Sequence, residues 1–186
     1  RQRQMCIRDR PHWTQQLIPL LQSGKVKSVG VSNHNLAEIK EADNILKNAG
    51  FKISAVQNHY SLLNRTSEYG GILDYCKENN ISFWAYMVLE QGALSGKYDS
   101  QHPFSEGSAR AQKYNPLLPQ IEKVIQFIRP IAERHNASVA QIVTSWAINK
   151  GVLPIIGVTH EAQVKDAAQT AKILSLIHIS EPTRLA

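Results

Sequence analysis

No stretch of this 186-residue chain approaches the roughly 18 to 20 consecutive apolar side chains of a membrane helix, and the opening RQRQMCIRDR has no apolar core of the secretory-leader kind. The expected compartment is the cytoplasm, with no membrane partner. Cysteine is scarce. Cys6 and Cys76 make neither a disulfide framework nor a zinc-ligand spacing, and the seven histidines never recur at metal-ligand spacing, so no metal ligand is assigned. Low-complexity linkers are absent, which leaves no boundary for a second domain. No Gly-x-Gly-x-x-Gly follows any apolar run, which counts against a doubly wound dinucleotide fold.

What is there suits one globular domain with a substantial core: 42% apolar and 19% charged residues. The net charge of +6 raises the question of nucleic acid, but much of it sits at the ends. Without residues 1–10 and 176–186, 16 basic residues face 13 acidic ones and no basic-aromatic stripe remains. No nucleic-acid partner is expected.

Between the ends the hydrophobic period alternates between strand and helix. Helices are expected at Trp13 to Leu21, from Asn35 to the stop at Gly50, and at Ser67 to Asn79 with Ile72, Leu73 and Cys76 inward. Two more are expected at Leu117 to His135, with Pro130 kinking or ending it, and Ser138 to Lys150; Glu161 to Leu174 closes the pattern. Strands are expected at Lys27 to Val31, Ile53 to Gln57, Ile81 to Val88 and Val152 to Ile156. The spacing of the first three matches a β-α pair in a parallel sheet, and the whole favours the α/β class: a parallel (β/α)8 TIM barrel, present as roughly its second half, about four βα units plus extra helices. A half barrel leaves unpaired apolar edges, so such a piece is expected to be marginally stable or prone to aggregate.

In such a barrel the chemistry lies at the C-terminal ends of the strands. The first strand ends in Ser32-Asn33-His34, the second in Gln57-Asn58-His59-Tyr60; the third carries Tyr86, and the fourth runs into Gly157-Val158-Thr159-His160. Side-chain amides suit a carboxamide, an aromatic ring suits a stacked heterocycle, and backbone N–H groups at a helix start suit phosphate. Each residue also has a plainer reading: Asn33 or Asn35 as a helix cap, Tyr86 as core, Gly157 as a turn. Four rims in register favour a ligand site. The connection from Asp99 to Pro116 reads equally as a lid or as a surface loop. Asn64, Asn80 and Asn136 each open a glycosylation-type triplet, read as fortuitous without a secretory route.

These segments resemble a known family. Gly24-Lys25-Val26-Lys27-Ser28-Val29-Gly30-Val31-Ser32-Asn33 resembles the GKVRxIGVSN segment of aldo-keto reductases, and Gln57-Asn58-His59-Tyr60-Ser61-Leu62-Leu63-Asn64-Arg65 resembles their QxxYSLLNR. Ala85-Tyr86, with Gly92-Ala93-Leu94-Ser95-Gly96-Lys97-Tyr98, is similar to AYSPLxxGxLTGKY, and Pro154 to Thr159 with Gln163 and Asp166 to the last cofactor segment. The match runs from about residue 13 to 173. The two ends, RQRQMCIRDR and SLIHISEPTRLA, resemble translated sequencing-adapter sequence, so residues 1–12 and 175–186 are read as non-native or disordered tails around a half barrel at 13–174.

The resemblance implies the C-terminal half of an NADP(H)-dependent oxidoreductase acting on aldehydes or ketones, with a small-molecule carbonyl substrate for the full-length protein and an open oligomeric state. By position, Ser32, Asn33 and Gln57 would bind the nicotinamide carboxamide and Tyr86 would stack on the ring; Leu89, Gly92, Leu94 and Lys97 match the pyrophosphate loop. Gly157, Thr159, His160, Gln163 and Asp166 match the segment around the adenosine and its 2′-phosphate. Met87-Val88 stands where the family has Ser-Pro, and Thr159-His160 and Gln163 stand where many members place Arg or Lys, so NAD(H) stays open beside NADP(H). The family's catalytic Asp, Tyr, Lys and His precede the match; no catalytic residue is assigned, and the chain alone is expected to be inactive. A non-catalytic cofactor-binding or scaffold protein on the same barrel is the alternative.

Overall fold

In the computed structural model, residues 10–173 are described, which places the two tails outside the described residues except for residues 10–12, which form the start of the first helix. Helices α1 (Arg10–Gln22), α2 (Leu36–Lys47), α3 (Thr66–Tyr69), α4 (Ile72–Glu78), α5 (Ala109–Tyr114), α6 (Leu118–Arg134), α7 (Val139–Asn149) and α8 (Glu161–Ile173) alternate with strands β1 (Val29–Ser32), β2 (Ile53–His59), β3 (Ser82–Tyr86) and β4 (Leu153–Pro154). The strands follow one another in the sheet in sequence order, as successive β-α units produce when every crossover has the same hand. Over the described residues the chain divides into two compact units, 10–59 with 65–84, and 60–64 with 85–173.

In the first unit β1 and β2 pair in parallel, with Val31 opposite Val56 and Ser32 opposite Gln57. Helix α2 begins where Asn35 caps it: the Asn35 carboxamide accepts the Glu38 N–H at 3.0 Å and the Glu38 carboxylate accepts the Asn35 N–H at 2.8 Å. Its buried face of Ile39, Ala42 and Leu46 joins Ile53 and Val56 in the core. Asp43 lies on that same face. Its carboxylate, with no exposed surface, accepts the Ile53 N–H at 3.0 Å and the Tyr75 hydroxyl at 2.8 Å and pairs with Lys47 at 2.6 Å, fastening α2 to the start of β2 and to α4.

The helix expected at Ser67 to Asn79 is two helices. Gly70-Gly71 interrupts it, and Gly71 at φ +73 stands in the left-handed region that a continuous helix forbids. Ile72 and Cys76 face inward as expected, while Leu73 is half-buried. Burial, with the nearby Asp43 charge, pushes the Cys76 thiol up to about 11, so it packs as a small apolar group.

In the second unit Ile155 donates its N–H to the Ala85 carbonyl at 2.8 Å, placing the last strand beside the end of β3, although β4 itself is only two residues long. Helix α6 does not end at Pro130 but runs on to Arg134. Pro130 and Gln126, whose carbonyl loses its partner, both lie on the exposed face where water can take up the freed acceptor. Helix α7 is buried along nearly all its length, from Val139 through Ala147, and packs between α6 and α8.

Asp43→Ala should destabilise the chain by about 2–4 kcal/mol, because it strands the buried Ile53 N–H and takes the acceptor from the Tyr75 hydroxyl. Burial by itself would raise the Asp43 pKa, but Lys47, the Ile53 N–H and the Tyr75 hydroxyl outweigh it and hold the carboxyl below its usual 3.8. The bonds therefore stabilise the fold fully above that value and are lost as pH falls through the lowered folded pKa. Urea unfolding of the chain and of Asp43→Asn at neutral pH and at about pH 3 should show a smaller acid loss for the variant.

Candidate active site: strand ends and a cleft in the second unit

The first unit brings Ser32, Asn33 and Gln57 together. Ser32 and Gln57 are register partners at the C-terminal ends of adjacent strands, and the Asn33 N–H donates to the Gln57 carbonyl at 3.1 Å. Asn33 adopts φ +58, a left-handed turn that Asn tolerates, and it does not cap α2; Asn35 does. Asn58 is the clamp behind this turn. Buried itself, it donates its amide to the His34 carbonyl at 2.8 Å and accepts the His34 N–H at 3.3 Å. Ser32 and Asn33 stay exposed and Gln57 half-buried, so their amides and hydroxyl can reach a ligand.

Tyr86 belongs to the second unit and is half-buried; its carbonyl accepts the Tyr60 N–H at 3.2 Å. Beyond it the backbone is strained. Met87, Glu90 and Gln91 all have positive φ, at 62°, 45° and 54°, which costs of order 1–3 kcal/mol per residue unless the surroundings enforce it. Serine hydroxyls help to hold the turn: Ser95 donates to the Gly92 carbonyl at 2.6 Å and accepts the Lys97 N–H at 3.3 Å.

This loop forms one wall of a cleft of about 920 Å³ lying wholly within the second unit. Leu89, Gly92, Lys97, Gly157, Thr159, Gln163 and Asp166, all named from the sequence, line it. Tyr86, Leu94 and His160 do not; Leu94 is fully buried core beneath the loop, and His160 is exposed beside Thr159. The Gln163 amide oxygen accepts the Thr159 N–H at 2.7 Å, so this side chain closes the turn that starts α8. Asp166 is fixed from two sides: Ser138 donates to its carboxylate at 3.2 Å, and the Gln141 amide donates to its backbone carbonyl at 2.9 Å.

Sequence reasoning missed Arg110. The connection after Asp99 folds into α5, with Ser108 as its N-cap, and brings Ser108, Ala109 and Arg110 into the wall of the cleft. Phe104 anchors the segment: it is 2% exposed, stacks on Tyr98 with ring centroids 3.9 Å apart, and lies under the Arg110 guanidinium at 5.5 Å. Arginine following a helix-capping serine was the available signal. The cleft is electrically polarised, with Lys97 and Arg110 on two of its walls and the Asp166 carboxylate on a third. Deeper, Thr170 lines it with a buried hydroxyl that has no protein partner. Among the described residues no three His, Cys, Asp or Glu side chains gather to hold a metal, and no helix is long and apolar enough to cross a membrane.

The aldo/keto reductase family model matches residues 14–178. The chain belongs to that family. Among curated relatives, the chloroplastic pyridoxal reductase of Arabidopsis thaliana is 29% identical over 150 residues, covering 81% of this chain and 40% of its own length. The aldo-keto reductase yakc [NADP(+)] of Schizosaccharomyces pombe is 32% identical over 146 residues, covering 74% and 41%. This aldo/keto reductase-family chain thus spans less than half the length of either. Among solved structures, a glycerol dehydrogenase from Gluconobacter oxydans superposes with a TM-score of 0.73 at 23% identity, covering 95% of this chain and 58% of that one. The fold is therefore the (β/α)8 barrel of these enzymes, present over about half its extent.

Gly96, between the cleft-lining Ser95 and Lys97, packs against α7. At φ +78, with Val139 carbons only 3.1 Å from where a Cβ would stand, it admits no side chain without strain. Gly96→Ala should cost about 1–3 kcal/mol and lower the thermal midpoint by several degrees, read by circular dichroism.

Proposed function

We propose that this chain is the cofactor-holding half of an NADP(H)-dependent reductase of aldehydes or ketones. The cleft of the second unit carries the reading: its walls combine two cations, a run of loop backbone and an acceptor carboxylate in a space suited to an adenosine diphosphate. Lys97 would neutralise the pyrophosphate, and Arg110 would meet the 2′-phosphate through a guanidinium matched to its oxygens. Asp166 would accept from a ribose hydroxyl or an exocyclic amine, and Thr170 at the floor offers a buried hydroxyl that the protein leaves unsatisfied. Ser32, Asn33 and Gln57 would grip the carboxamide of the nicotinamide, and Tyr86 would lie flat against its ring. The nicotinamide supplies the hydride when bound; the protein supplies orientation and charge.

Thr159, His160 and Gln163 carry neither a guanidinium nor an ammonium group, which leaves Arg110 as the guanidinium available for a 2′-phosphate. Titration of the 186-residue chain with NADPH and NADH, followed by tryptophan-fluorescence quenching, should give tighter binding of NADPH. Arg110→Ala should weaken NADPH by about tenfold or more, equivalent to ~1.4 kcal/mol, and NADH by less. Equal affinities for the two in the unsubstituted chain would remove the 2′-phosphate assignment.

None of the motifs matched here contains the family's catalytic Asp, Tyr, Lys or His. The chain by itself should therefore bind NADPH yet consume none when an aromatic aldehyde is added, followed by absorbance at 340 nm (~0 turnover, the uncatalysed rate). Turnover by this chain would show that residues assigned here to binding perform the proton transfer.

A further inference from the structure

Ser61, within the segment resembling YSLLNR, takes no part in the reading above, and Glu90 of the cleft loop is 3% exposed, a carboxylate almost wholly withdrawn from water. The two meet. Ser61 donates to Glu90 Oε1 at 2.6 Å, while its own oxygen accepts the Asn64 N–H at 3.1 Å. On the other side the Tyr114 hydroxyl donates to Glu90 Oε2 at 2.7 Å, and Lys113 donates to Tyr114 at 2.8 Å and reaches Oε2 at 3.4 Å. Burial, then the Glu90 charge, pushes the Tyr114 phenol well above its ordinary range, so the phenol keeps its proton and remains the donor.

We propose that Glu90 is a positioning residue: by binding Ser61 on one side and Tyr114 with Lys113 on the other, it latches α5, and therefore Arg110, against the strained loop that carries Lys97. Three observations converge on this. Glu90 sits at φ +45 between Met87 and Gln91, also at positive φ, a conformation that needs an external hold. Tyr114 and Arg110 lie one turn apart on a six-residue helix, so fixing one fixes the other. The same loop and helix each supply a cation to the cleft. The carboxylate never touches the ligand; it sets the separation of the two positive charges, Lys97 for the pyrophosphate and Arg110 for the 2′-phosphate.

The proposal rests on the nucleotide reading, and two measurements on the 186-residue chain separate them. In hydrogen exchange, Glu90→Gln and the milder Tyr114→Phe should each lower protection in 87–96 and 109–114 together by about tenfold, leaving α7 unchanged. Loss confined to 87–96 would overturn the latch. In NADPH titration both variants should bind at least about fivefold more weakly, and Glu90→Gln should add less than about twofold once Arg110 is alanine, because the two act along one path. Additive losses would mark Glu90 as merely structural and overturn the proposal, as would unchanged affinity in variants of a chain that binds NADPH normally. Failure of the unsubstituted chain to bind NADPH would overturn the nucleotide reading, and with it the role assigned to the latch.

Discussion

A carboxylate taken out of water must find donors for its lone pairs within the protein, and each unit of this chain is tied together around one. Asp43 in the first unit gathers α2, the start of β2 and α4; Glu90 in the second gathers the segment after β2, the loop after β3 and α5. Each joins pieces of chain more than 20 residues apart. Apolar packing around Ile39, Leu46, Ile53 and Val56, or around Leu94, Leu118 and Val143, supplies the larger share of burial but is indifferent to small slides of one element on another. A hydrogen-bonded carboxylate is not, because its donors must arrive at fixed distance and angle. These two residues therefore give register to elements that apolar contact alone would leave loosely placed.

The same logic explains why chemistry gathers where it does. Parallel strands end on one side, and a loop leaving a strand end is free of the ladder's constraints, so unusual backbone conformations concentrate there. Asn33 after β1 and Met87, Glu90 and Gln91 after β3 all stand at positive φ. Their strain is sustained by buried polar partners: Asn58 behind the first turn, Glu90 behind the second. The result is a cluster of polar side chains at the strand ends of one unit and a polarised cleft within the other.

Much of the architecture was legible from periodicity. The four strands and the α2, α6, α7 and α8 segments fall close to where alternation and helical spacing place them, since burial of one face dictates those periods. The misses share a cause. Gly70-Gly71 broke a helix whose apolar spacing runs straight through, and of the kink or end expected at Pro130 the end did not occur, because the outcome depended on local backbone conformation and on whether the orphaned carbonyl faced solvent. Among site residues, those inside motif-bearing segments could be named. Arg110 could not, because α5 is a single short turn-and-a-half whose position comes from Phe104 and Tyr114 packing rather than from any repeat.

The amino-acid order by itself determined the β-α alternation and the membership of the aldo/keto reductase family, because periodic burial and local motif spacing are written into neighbouring residues. Only the tertiary structure decided that Gln163 closes a turn, that Leu94 is core, that Arg110 reaches the cleft, and that Ser61, Glu90 and Tyr114 share one buried charge. Those facts depend on which distant side chains meet when water is excluded, and sequence spacing does not encode that meeting.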